Sequence, residues 1–184
     1  MSPLIIILII VVIIALVFIG VYNKLVKRRI LVKEGWSGIG TFLQQRNDLI
    51  PNLVETVKGY ALHESATLTE VVKWRNKAVA ATNPADQMAA SNGMNKALVD
   101  FFAVAEQYPD LKANANFLSL QNDLKEMEMS LNQSRRYYNG TVRDYNQAVA
   151  VFPSNLVAGM FGFSTETFFQ EDAAATQLPK VSFS

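Results

Sequence analysis

Residues 4 to 21, LIIILIIVVIIALVFIGV, form an unbroken run of 18 apolar residues and glycine. At a helical rise of about 1.5 Å per residue the run covers roughly 27 Å, close to the hydrocarbon thickness of a bilayer. A buried core helix of this length normally carries a polar stripe, and this run carries none. The pattern predicts a membrane-spanning helix through Leu4, Ile9, Ile14, Phe18 and Val21, with Tyr22 as an interfacial aromatic. A cleaved signal peptide would show a charged start, a shorter apolar core and a small-residue cleavage site. Met1-Ser2-Pro3 is uncharged and no A-x-A pattern follows, so the expectation is an uncleaved anchor.

Beyond the anchor the apolar spacing is 3 and 4, which predicts helices and little strand. Leu25, Val32, Trp36, Ile39 and Leu43 share one face of a segment from Asn23 to about Gln45, either a separate helix or a continuation of the anchor. Gly35, Gly38 and Gly40 lower its propensity, and close packing against a neighbour would compensate. A second helix is predicted from Asp48–Pro51, with Asp48 as cap and Pro51 in the first turn, to about Ala81. Its stripe is Ile50, Val54, Val57, Ala61, Leu68, Val71 and Ala78, and Asn83-Pro84 ends it. A third covers about Ala85 to Gln107, with Met94, Leu98, Phe101, Phe102 and Ala105. After a turn at Tyr108-Pro109-Asp110, a fourth runs from Leu111 to Phe152. Its stripe is Phe117, Leu120, Leu124, Met127, Leu131, Tyr138, Val142, Tyr145, Val149 and Phe152, a coiled-coil-like spacing that Pro153 stops. The expected fold is all-α: an N-terminal transmembrane helix followed by an antiparallel four-helix bundle with long helices. The expected organisation is an anchor over residues 1–22, a helical bundle over 23–152 and an aromatic C-terminal segment and tail over 153–184.

Charge adds an orientation. The 184 residues hold 17 Lys and Arg against 16 Asp and Glu, a net charge of +1. Residues 1–34 carry a balance of +4 and residues 35–184 one of −3. Lys24, Lys27, Arg28, Arg29 and Lys33 form a collar on the C-terminal side of the anchor. The positive-inside rule then expects the N-terminus outside and the bundle in the cytoplasm, at the inner membrane of a bacterium. The same collar would attract anionic headgroups. The near-neutral total argues against a nucleic-acid partner.

Candidate chemistry is sparse. There is no Cys and a single His, which excludes disulfides, thiol nucleophiles and multi-histidine metal sites. His63-Glu64 is not a dyad, since adjacent helical residues point about 100° apart, and Thr67 stands where a second zinc-binding His would be. Asp48, Glu55, Glu64 and Glu128 could gather as a carboxylate site, but polar pairs of Glu64, Glu128 and Arg135 with other helices are the better expectation. No catalytic residue, cofactor or metal is therefore assigned. The pairs Tyr138-Asn139 and Tyr145-Asn146, seven residues apart, read as a polar device fixing helix register while the rings fill the core.

Taken together, Tyr22-Asn23, Leu25, Arg29 and Gly35-Trp36, the run RNDLIPNLVETVKGYALHE from Arg46 to Glu64, and EQYPDLKA from Glu106 to Ala113 form a distinctive series. It continues with Phe117, Leu120-Gln121, Leu124, Glu128, Arg135-Arg136-Tyr137-Tyr138-Asn139, Tyr145-Asn146, Phe152-Pro153, Asn155 and Gly162-Phe163. The series resembles the LemA family of bacterial membrane-anchored proteins over nearly the whole chain. The resemblance implies a single N-terminal span, an antiparallel helical bundle and no enzymatic activity. Relatives of the family include MamQ-type proteins of magnetosome membranes, linked to making or shaping an organelle membrane.

Residues 153–169, PSNLVAGMFGFSTETFF, are apolar and aromatic but leave the bundle pattern. An up-down topology returns them towards the bilayer. Leu156, Val157, Met160, Phe161 and Phe163 are therefore expected to contact the membrane surface or a neighbouring subunit, or else to cap the bundle. The last residues, from about Glu171, read as an extended tail. The functional expectation is a self-associating scaffold, with the lipid bilayer and a second copy of the chain as partners, that organises or shapes the membrane. The alternative is a membrane-tethered adaptor or sensor that docks a protein client such as a kinase or protease.

Overall fold

The computed structural model describes residues 2–61 and 64–170, and His63 and the tail from Glu171 lie outside them. The described elements are all helical: α1 (Pro3–Lys58), α2 (Ser65–Ala80), α3 (Pro84–Ala105), α4 (Pro109–Lys112), α5 (Ala115–Ala150) and α6 (Ser154–Phe161). The described residues divide into two compact units, one of residues 2–39 with 134–168, the other of residues 40–133 with 169–170.

The anchor and the first polar segment are one helix, and that helix does not restart at Pro51. A proline inside a helix loses one backbone hydrogen bond and costs about 3 kcal/mol. Here Pro51 is exposed, while Ile50, Leu53, Val54 and Val57 are all buried in register around it. Burying each such side chain contributes about 1.5–3 kcal/mol, so packing outweighs the proline. The helix gives way only at Gly59-Tyr60, where the amides of Tyr60 and Ala61 both donate to the Val57 carbonyl.

In the unit of residues 40–133, α1, α2, α3, α4 and α5 contribute to one core that includes Leu53, Val71, Met94, Phe101, Leu111, Phe117 and Leu124. Asn83 caps α3 by accepting from the Asp86 amide at 2.9 Å, with Pro84 in the first turn. Asn114 caps α5 by accepting from the Phe117 amide at 3.0 Å, and this splits α4 from the long helix that the sequence reading had continuous from Leu111. Gly93 of α3 lies under the Trp74 ring of α2, so an added Cβ would fall well inside van der Waals contact with rigid ring atoms. Lys77 covers the same ring at 4.2 Å from its centroid. We expect Gly93→Ala to destabilise the protein by about 1–3 kcal/mol through overpacking, read as a lowered thermal midpoint.

In the unit of residues 2–39 and 134–168, α1 and α5 meet at Gly35, where a Cβ would stand 3.2 Å from the Tyr138 Cα. The Trp36 and Tyr138 rings pack edge to face at 5.3 Å. Of the three glycines expected to allow close packing, only Gly35 does so, because nothing approaches a Cβ at Gly38 or Gly40 within 4 Å.

Among the Tyr and Asn residues of α5, Tyr138 and Asn146 bond the segment that follows α6. Tyr138 and Tyr145 are buried, as expected of core rings. Burial pushes both phenols above their usual range, and Glu166 adds to the rise. The protonated Tyr138 hydroxyl donates to the Thr167 carbonyl at 2.8 Å. Asn146 bonds Glu166 twice, donating to its carbonyl and accepting from its amide, each at 2.8 Å. These groups strap the segment after α6 onto α5. Asn146→Ala should cost about 1–3 kcal/mol, since it removes both bonds. It should also speed hydrogen exchange at the Glu166 amide selectively, whereas a uniform rise across α5 would contradict a local strap.

Candidate membrane-contact site

The apolar run of α1 is uncovered: Leu4, Ile9 and Ile14 are exposed, and Phe18 and Val21 are half-buried. This is one helix long and apolar enough to cross a membrane, and none of its apolar stretch is buried inside the protein. Removing that much apolar surface from water takes a lipid phase or other protein.

α6 packs beside the end of this run. Val157 and Ala158 are buried with Leu25 and Ala148, and Phe18, Val21, Val149 and Phe163 close around them. Tyr22 makes edge-to-face contacts with Phe161 at 4.9 Å and Phe163 at 5.7 Å between ring centroids. Gly162 ends the helix in the left-handed region at φ 70°, and the Phe163 amide donates to the Ala158 carbonyl at 2.9 Å. The five residues singled out in this segment therefore divide. Val157 is core, Phe163 is half-buried, and Leu156, Met160 and Phe161 are exposed, Met160 at 70%. Phe152, expected on the apolar stripe of the long helix, lies beyond the end of α5 and is 78% exposed. Sequence periodicity could not separate these roles, because eight residues give barely two helical turns.

Among the collar residues, Lys24, Lys27, Arg29 and Lys33 are exposed. Arg28 is half-buried, and its guanidinium donates to the backbone carbonyl of Asp144.

The polar residues of the other unit are structural. Arg46 is fully buried and donates to Glu128 at 2.7 Å, Asn95 at 2.8 Å and Ser91 at 3.1 Å. Glu128 thus finds its cation on α1. Glu64 accepts from the Tyr108 hydroxyl at 3.5 Å. Arg135, which belongs to the unit of residues 2–39 and 134–168, is buried there. Asp48 and Glu55 are exposed, and Glu55 pairs with Lys58 at 3.7 Å. Among the described residues no three acidic, His or Cys side chains gather to hold a metal ion. Sequence reading missed Arg46 as a core residue, although it falls between Leu43 and Ile50 on the apolar stripe, at steps of 3 and 4. That interruption was the available signal.

A helical protein with one uncovered apolar helix and an apolar foot at its end belongs to the class of membrane-associated proteins. The LemA family model matches residues 35–183, and the chain belongs to that family. It is 25% identical to Protein LemA of Metamycoplasma hominis over 84% of this chain and 71% of that protein. It is 25% identical to Magnetosome protein MamQ 2 of Paramagnetospirillum magneticum, and 23% to Magnetosome protein MamQ of Magnetospirillum gryphiswaldense. The magnetosome matches each cover 83% of this chain and 66% of the relative, so the chain spans just under two thirds of their length. None of these names denotes an enzyme.

Proposed function

We propose that this protein is a membrane-anchored scaffold that self-associates to organise the bacterial inner membrane, with the anchor spanning it and the helical part in the cytoplasm. The observation that carries the reading is the placing of α6. Its exposed Leu156, Met160 and Phe161 sit beside Phe18, Val21 and Tyr22, where the apolar run ends. A helix spanning the bilayer with those residues at its boundary sets α6 in the interfacial layer, where exposed apolar side chains and aromatic rings are stabilised. The foot then fixes the unit of residues 2–39 and 134–168 against the membrane surface, as a scaffold requires. The similarity to proteins named for the magnetosome is in keeping with a structural task.

The test is the mass distribution of full-length protein in lipid nanodiscs or mild detergent, read at single-particle level. A discrete high-order assembly is expected. A monomer at all concentrations would overturn self-association and favour the adaptor reading, in which a client protein co-purifies. Because the chain has no cysteine, single-cysteine spin labels report depth directly. A label at Met160→Cys should be immersed to the interfacial layer, and one as water-accessible as Val99→Cys would remove the foot from the membrane.

A further inference from the structure

A cleft of about 330 Å³ opens between α1, the end of α5 and the turn into α6. Lys24 and Arg28 form one wall, and Val21, Leu25, Val151 and Phe152 supply apolar surface. Lys24 and Arg28 are four residues apart, hence neighbours on one helical face. Arg28 is held in place through its bond to the Asp144 carbonyl. No Asp or Glu is among the residues that line the cleft. Val21 is the last residue of the apolar run, and Lys24 and Arg28 follow one and two turns beyond it. Cationic wall and apolar floor thus meet where an anchored helix would leave the hydrocarbon.

We propose that this cleft binds the phosphate headgroup of an anionic phospholipid, with Lys24 and Arg28 holding the phosphate and the acyl chains running down the uncovered face of α1 below Val21. The inference rests on the membrane-spanning reading of α1. A soluble phosphate would use the two cations but leave the apolar floor wet, whereas a lipid satisfies both. The remaining collar residues act differently. Lys27, Arg29 and Lys33 lie outside the cleft and attract anionic headgroups only diffusely.

The experiment places full-length protein in phosphatidylcholine nanodiscs with trace nitroxide-labelled phosphatidylglycerol or phosphatidylcholine. Electron paramagnetic resonance then measures the motionally restricted fraction of each. The wild type should hold phosphatidylglycerol in preference. Lys24→Gln/Arg28→Gln should reduce that preference at least about threefold more than Lys27→Gln/Lys33→Gln, an equal change of charge within the diffuse collar. Equal losses in both pairs would assign the preference to the diffuse collar and overturn the cleft, as would no loss in the first pair. Displacement of the labelled lipid by millimolar glycerol phosphate would overturn the lipid as the ligand. If the wild type restricts neither labelled lipid, α1 does not span the bilayer, and the anchor reading falls with the cleft. Lys24→Gln alone, at an exposed position, carries the test should the double variant lose helicity.

Discussion

Glu128→Ala should destabilise the protein by about 3 kcal/mol, the low end of the cost of stranding one member of a buried ion pair. Arg46 has no solvent exposure, and its only carboxylate among the hydrogen bonds described above is Glu128. Removing that carboxylate leaves a buried cation facing the amide oxygen of Asn95 and the Ser91 hydroxyl. The low end applies because the Glu128 side chain is 30% exposed and lines a groove with Asn95, so water reaches the vacated place. For a protein of this size about 3 kcal/mol corresponds to a fall of roughly 6–12 °C in thermal midpoint, measurable by circular dichroism in mild detergent. The paired replacement Arg46→Met/Glu128→Leu should recover most of the loss, since an ion pair exchanged for apolar side chains is often neutral. A loss below about 1 kcal/mol in the single variant would mean that the carboxylate is dispensable to Arg46.

The second large effect concerns the anchor. Ile9 and Ile14 lie in the middle of the apolar run and are exposed. An aspartate at the centre of a spanning helix costs about 2.5–3.5 kcal/mol on the insertion scale, where isoleucine is mildly favourable. Ile9→Asp/Ile14→Asp should therefore lose roughly 6–8 kcal/mol of insertion free energy and move the protein from the membrane fraction to the soluble or aggregated fraction. Ile9→Leu/Ile14→Leu should remain in the membrane. Retention of the aspartate variant in carbonate-washed membranes would show that the apolar run is not what inserts.

Much of the helical architecture was readable from spacing. In α5, Phe117, Leu124, Leu131, Tyr138 and Tyr145 recur every seven residues, and all five are buried. Asn83-Pro84 marked a helix boundary because its chemistry is local: a side-chain oxygen for an unpaired amide, and a ring already set at helical φ. The same local logic failed at Pro51. There the proline's preference for a first turn competed with a hydrophobic register that was unbroken on both sides, and the register prevailed.

Other features depended on partners far away in the chain. The sequence marks Gly35 only as a weak point in a helix, and it is the approach of Tyr138 that gives the missing Cβ its purpose. Asn146 reads as half of a Tyr-Asn repeat, and its role became visible once Glu166 was found lying against it. The exposed and buried faces of α6 follow from where Phe18, Val21 and Leu25 meet it. Read alone, the sequence marks most of the helical segments, though not α6 or the break between α4 and α5, together with the run apolar enough to span a bilayer and the family the chain belongs to. Those properties reside in residue type and short-range period. Only the tertiary structure decided that Arg46 is a core cation paired with Glu128, that Val157 turns inward while Met160 does not, and that Lys24 and Arg28 share a cleft. Each of these requires contact between segments distant in sequence, and periodicity within one helix specifies a face without specifying what packs against it.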